Sequence, residues 1–115
     1  MSEIFQQLRG DELCAVTFVQ DYIQLQFDRP CINVYVPMTV EASGTAARSG
    51  DDRFRDALCG QIAKVVQSVH TQDDEAMTIS FQDDSQIVIS LRPTDRFGRD
   101  ALEARGFRDA PIVMV

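Results

Sequence analysis

The chain contains a single histidine, and its neighbours make it the first place to look for chemistry. His70 is followed by Thr71, Asp73 and Asp74, and a hydroxyl, an imidazole and a carboxylate can together support nucleophilic attack. A working triad, however, is assembled by the fold from distant parts of a chain, and a local trio of these types is common in turns. An exposed histidine at the end of a strand is the expected reading, and no catalytic residue is assigned. Cys14, Cys31 and Cys59 are widely spaced and odd in number, which fits neither a disulfide framework nor paired zinc ligands. Each lies in an apolar stretch and is expected to be a buried thiol. The carboxylate runs Asp51-Asp52 and Asp73-Asp74-Glu75 lack the alternating oxygen ligands of calcium loops, so no metal site is expected. Gly44, Gly50 and Gly60 are isolated, no Gly-Lys-Ser/Thr follows them, and no G-x-S-x-G elbow occurs; no cofactor is expected either.

Binding is better represented than catalysis. The segment Ser90 to Arg96 leaves a strand and carries Arg92, Asp95 and Arg96 at turn spacing, and loops at strand ends are where binding residues gather. Tyr22, on the polar side of its strand beside Asp21, is an aromatic that could anchor a partner. The acidic turns at Asp73 and Asp74 and at Asp83 and Asp84 could meet a basic surface. The plainer alternatives are an Arg/Asp ion pair that pins the turn and a tyrosine lying along a sheet edge.

Charge narrows the partners. Eleven basic against 18 acidic residues give a net charge of −7, which repels phosphate backbones and anionic lipid, so neither nucleic acid nor a membrane surface is expected. From Val65 to Leu91 there are five acids and no Lys or Arg, whereas Arg92 to Arg108 holds five Arg. The N-terminal residues have neither a basic start nor an apolar run, which makes the cytoplasm the expected compartment.

The elements that must position these residues are read from periodicity. Residues 2 to 9 place Ile4, Phe5 and Leu8 at helical spacing behind Ser2 as a cap. Residues 16 to 19 and 22 to 27 read as strands, and Ile32, Val34 and Val36 continue a third that Pro37 ends. Residues 38 to 50 read as a long exposed loop. Asp51 or Asp52 caps a second helix bearing Phe54, Ala57, Leu58 and Ile62. Strands then follow around Val65 to Val69, Met77 to Phe81 and Ile87 to Leu91, with a short helix over 98 to 105 and an apolar tail, Ile112 to Val115. That tail adds a strand to the chain's own sheet, the preferred reading, or to a neighbour's in a symmetric homodimer.

The two halves echo each other. Leu8, Gly10, Val16 and Val19 meet Leu58, Gly60, Val66 and Val69 at an offset of 50, and Phe27 with Pro37 answers Phe81 with Pro93. The expected fold of residues 1–115 is one α+β domain with about six mainly antiparallel strands in two three-strand meanders, two or three helices, and an αβββ duplication as one account of the echo. Tyr22, Leu25 and Phe27, then Leu58-Cys59-Gly60 to Val69, then Ile79 to Asp83 and Ile87 to Leu91 stand in an order that resembles small bacterial proteins of unknown function, some encoded near toxin and immunity genes. Ser85 departs from that pattern, which more often has Gly in the hairpin. The resemblance carries no catalytic residue; it implies a non-enzymatic domain that binds a protein in the manner of an immunity protein. Rival readings are an anion-binding protein or enzyme, with Arg92 and His70 in a pocket between sheet and helix, and a structural homo-oligomer.

Overall fold

A computed structural model describes residues 2–108 and 110–115, with Ser2 as backbone only, so capping by its side chain lies outside the described residues. The described residues form ten strands: β1 (Ala15–Phe18), β2 (Ile23–Gln26), β3 (Cys31–Val34), β4 (Met38–Ala42), β5 (Thr45–Arg48), β6 (Val66–Gln72), β7 (Ala76–Phe81), β8 (Gln86–Ser90), β9 (Leu102–Phe107) and β10 (Ala110–Met114). One six-residue α-helix, α1 (Phe54–Cys59), and 3₁₀ segments at Ser2–Leu8 and Pro93–Asp95 complete them. The expected α+β domain with six strands is therefore corrected: the fold is mostly β, in two antiparallel five-stranded sheets. No helix is long and apolar enough to cross a membrane among the described residues.

Period-two alternation builds the core. Leu25 on β2, Ile32 and Val34 on β3, and Leu102 and Ala104 on β9 point inward from one sheet. Met38 and Val40 on β4, Met77, Ile79 and Phe81 on β7, and Ile87 and Ile89 on β8 meet them from the other. The helical pieces close the gaps between the sheets. Phe5 and Leu8 of the first 3₁₀ segment are fully buried, with Phe5 edge-on to Phe107 at 5.4 Å, and α1 inserts Phe54 and Leu58 beside β4.

Sheet order reveals how the halves interlock. The first sheet runs β1-β2-β3-β9-β10 and the second β6-β7-β8-β4-β5. Each half of the chain is thus a helical segment, a three-strand meander and a two-strand hairpin, and each hairpin adds to the other half's meander: β4 pairs with β8, and β9 with β3. The chain changes sheets at Tyr35-Val36-Pro37 and again between Leu91 and Ala101, so Pro37 and Pro93, matched in the sequence, both lie where a strand leaves its own sheet. A further join lies where Leu13 donates to the Lys64 carbonyl (3.0 Å) and Ala63 to that of Leu13 (2.8 Å).

The apolar tail does add a strand, β10, to the chain's own sheet, as preferred, whereas β4, β5 and β9 went unread, each for a physical reason. The loop expected at 38 to 50 is β4 and β5, whose alternation is hidden because Ala47 faces inward on a strand otherwise made of Thr, Ala and Arg. Ser43 and Gly44, both at positive φ, make the two-residue turn that joins them. The helix expected at 98 to 105 is a loop and then β9. Arg-Asp-Ala-Leu occurs twice, helical at 55–58 and leading into a strand at 99–102, so tertiary pairing with β3 overrides local propensity. Two smaller corrections accompany these. Arg53, with no side-chain cap, precedes α1, because the Asp51 carboxylate instead accepts the Arg48 backbone N–H at 2.8 Å. Cys14 and Cys59 are exposed and Cys31 half-buried, not the buried thiols expected.

Gly106, near the end of β9, lets that strand pass close against the β2–β3 turn. Its φ is +86°, and a Cβ there would sit 2.9 Å from the Arg29 carbonyl oxygen and 3.1 Å from the Pro30 Cα. Gly106→Ala is expected to lose about 1–3 kcal/mol in chemical denaturation, where Gly98→Ala, which meets nothing within 4 Å, loses far less. Interlocking makes a second prediction. Because each half lacks the hairpin that completes its sheet, chains 1–50 and 51–115 should each show no cooperative melting alone and recover β-sheet circular dichroism and a melting transition when mixed.

Candidate functional site

The residues singled out in the sequence are not brought to one place. Asp73 and Asp74 lie in the β6–β7 turn, Asp74 at a φ of 59°, while Asp83 and Asp84 lie in the β7–β8 turn at the opposite end of β7. Six strand residues separate them, roughly 20 Å. A partner cannot use both pairs as one compact patch. The Asp83 carboxylate is also occupied: Lys64 Nζ is 2.8 Å away, and the Ser85 backbone N–H (3.0 Å) and hydroxyl both donate to it. Lys64 in turn donates to Gln61 Oε1 at 2.7 Å, and the buried Gln61 donates to Ser85 Oγ at 2.8 Å, so this cluster staples the end of α1 to the β7–β8 turn. The Lys64 and Ser85 hydrogen bonds hold the Asp83 carboxyl well below the usual carboxylate range.

Arg92, Asp95 and Arg96 are likewise committed to holding a loop. Arg92 places Nε (2.9 Å) and Nη2 (2.6 Å) on Glu75 Oε1, and Ser90 Oγ donates to Asp95 at 2.5 Å. Arg96 donates Nη2 to the Leu91 carbonyl (2.9 Å) and Nη1 to that of Arg99 (3.3 Å). These bonds fix the 91–101 connection and leave the Phe97 side chain 99% exposed. Arg92 and Asp95 do line a cleft of about 410 Å³ on the outer side of the second sheet, with Arg48, Glu75 and Ser90. His70 is not among its residues; it stands exposed in mid-strand on β6, across from Thr78. The cleft lies on an open sheet face rather than between sheet and helix, and Glu75 already neutralises Arg92 there.

Tyr22 has the most suggestive surroundings. On the outer side of the first sheet its ring lies 5.6 Å from that of Tyr35, which is on the adjoining chain segment just past β3. The Tyr35 hydroxyl meets Glu103 Oε1 at 3.2 Å, and Glu103 pairs with Arg105 at 2.5 Å. Partial burial first, and then the Glu103 carboxylate, raise the Tyr35 pKa above its ordinary 10.0, so the phenol remains a donor at neutral pH. Phe97 stands between two adjoining concavities over this face. One, of about 390 Å³, has Phe18, Tyr22, Pro37 and Arg55 in its walls; the other, of about 650 Å³, has Tyr35, Asp100 and Met114. Gln20, Asp21 and Tyr35 are common to both. Sequence reasoning missed Phe97 and Tyr35; the signal for Phe97 was a lone aromatic next to Gly98 in an otherwise charged stretch, Thr94 to Asp100.

Among the described residues no three His, Cys, Asp or Glu side chains converge as metal ligands. No protein-family model, curated protein or solved structure matches the chain.

Asp83 gives a pH test of the staple. Its folded pKa is depressed, so its contribution is present above the unfolded carboxylate pKa near 4 and is lost as pH falls through that value toward the folded one. Asp83→Asn should lower the melting temperature at pH 7, and the gap to wild type should close below about pH 4. A gap unchanged from pH 7 to 3 would remove the ion pair from the account.

Proposed function

We propose that this chain is a non-enzymatic protein-binding domain that captures a basic partner on the aromatic side of its first sheet. The observation that carries this reading is Phe97: a whole aromatic side chain held in water by a loop that Arg96 ties down, between two concavities floored by Tyr22 and Tyr35. Single exposed apolar residues are ordinary, but this one is joined by Phe18, Val19 and Met114, each about 40% exposed. Burying a phenylalanine contributes roughly 2–3 kcal/mol, and aromatic anchors in a pocketed centre dominate many interfaces. The net charge of −7 selects for a basic partner and speeds its approach. This retains the protein-binding expectation and Tyr22, and moves the centre of the surface from the acidic turns to Phe97.

The test is capture from an extract of the source cell at low salt with wild-type protein and with Phe97→Asp. That substitution lies wholly in solvent, and an unchanged melting curve will show that the fold is intact. The expected result is a basic protein held by wild type, released by raised salt, and bound roughly tenfold or more weakly by the variant. Equal capture by both proteins, or a partner indifferent to salt, would overturn the proposal.

A further inference from the structure

The four outer strands of the two sheets are treated differently by the chain. β6 is covered by the N-terminal segment, where Gly10 donates to the Val66 carbonyl (2.9 Å), Val66 donates to that of Asp11 (2.8 Å), and the Gln6 side chain reaches the Val69 carbonyl. β1 lies against α1, with the Arg55 guanidinium 5.9 Å over the Phe18 ring. β5 is four residues long and ends in an exposed arginine. β10 is Ala-Pro-Ile-Val-Met, without a charge, and Ile112 and Met114 are 53% and 43% exposed. Such an edge is an open template for another strand.

Hydrogen-bond parity shows which groups are free. Leu102 and Val115 exchange both backbone bonds, at 3.3 and 3.0 Å. In an antiparallel ladder the next exchanging pair is two residues on, which is Ala104 with Val113. The N–H and C=O groups of Ile112 and Met114 therefore point away from β9. Pro111 shares the parity of Val113, so its missing N–H falls on the inner side and does not blunt the open edge.

We infer that β10 pairs antiparallel with β10 of a second copy of this chain, about a two-fold axis near Val113. Ile112 of each copy then exchanges both backbone bonds with Met114 of the other, and their exposed side chains meet on the outer face. A second copy suits this edge because its charges allow it. Glu103 neighbours Met114 and Arg105 neighbours Ile112 across the β9–β10 ladder, and the two charges are paired with each other within each copy. The two-fold sets an acid of one copy in line with a base of the other, about 14 Å away across three strand spacings, and brings no like charges face to face. The contact area is a few hundred Å² per copy, under the roughly 800 Å² per partner of a standard stable interface, and the net charge opposes it further. The dimer is accordingly weak: present at ~100 μM, dispersed at ~1 μM, and strengthened by moderate salt. This inference rests on the β10 edge and not on the Phe97 reading, although Met114 borders both surfaces.

Sedimentation over that concentration range, with backbone amide exchange by NMR at each end of it, tests the pairing. Wild type should pass from monomer to dimer, with the Ile112 and Met114 amides gaining protection while Val113 stays protected throughout. Met114→Lys should raise the dissociation constant at least tenfold with an unchanged melting curve, and Met114→Pro, which removes only an outward N–H, should do the same. A wild type that stays monomeric at 100 μM, protection that rises equally at Val113, a dimer indifferent to both variants, or amides protected only when a different protein is added would overturn it.

Discussion

The structure depends on one constraint of pairing: neither half of the chain supplies enough strands to finish its own sheet. β3 and β8, each third in a meander, would be edges with buried apolar faces, Ile32 and Val34 on one and Ile87 and Ile89 on the other. A strand that is fully apolar on its inner face and unpaired along one side invites misassembly. Each is instead paired by the hairpin of the opposite half, which ties residues 2–50 and 51–115 into a single cooperative unit. Long-range strand pairing of this kind folds slowly relative to local meanders, because loop closure comes before the contacts that reward it.

The same constraint decides where surface features arise. A chain that exchanges hairpins must cross between sheets twice, and backbone in a crossing cannot satisfy itself in a ladder. The first crossing is three residues, Tyr35 to Pro37, and places a half-buried tyrosine on the outer face of the first sheet. The second runs from Leu91 to Ala101, and its polar groups need partners of their own. Arg96 supplies them for the carbonyls of Leu91 and Arg99, while Arg92 with Glu75 and Asp95 with Ser90 pin the start of the crossing through their side chains. Because the polar side chains bind inward to the loop, the apolar one, Phe97, is left outside. The usual assignment of charged residues to recognition and apolar residues to support is inverted here. An exposed ion pair contributes about 0–1 kcal/mol and is screened by salt, whereas a buried aromatic contributes two or more.

This inversion also explains which parts of the fold were legible in the sequence. Leu25 and Ile79 alternate cleanly with polar neighbours, Ile89 stands between Val88 and Ser90, and all three lie buried on strands, as periodicity indicates. The offset that relates Leu8 and Val16 to Leu58 and Val66 marks matching helix ends and first strands in the two halves. Of the exchanged hairpins only β10 was legible, through its apolar, β-prone run; β5 and β9 were not, because their inward residues include Ala47 and Ala104, whose small side chains leave no amphipathic signature, and because a repeated Arg-Asp-Ala-Leu takes two conformations. Arg92, Asp95 and Arg96 were found through their spacing at a strand end, but spacing does not say whether a charge faces its own backbone or a stranger's. Phe97 was passed over since hydrophobic patterning assigns an isolated aromatic to the core, and only the loop's own hydrogen bonds reveal that it is held out of it.

Charge acts in opposite directions on the two uses proposed for the first sheet. A net charge of −7 would draw the proposed basic partner toward the molecule, yet it repels a second copy approaching along β10, whose five residues from Ala110 to Met114 carry no charged side chain. Neutral edge and acidic body together hold self-association near the weak end, since the edge offers hydrogen bonds and two apolar side chains while the body opposes concentration. Met114 belongs to both neighbourhoods, lining the concavity under Phe97 and sitting on the open strand. A two-fold through Val113 would therefore set two Phe97 surfaces along one continuous sheet, so that a partner with repeated basic sites would gain from the dimer an effective concentration that no single copy provides.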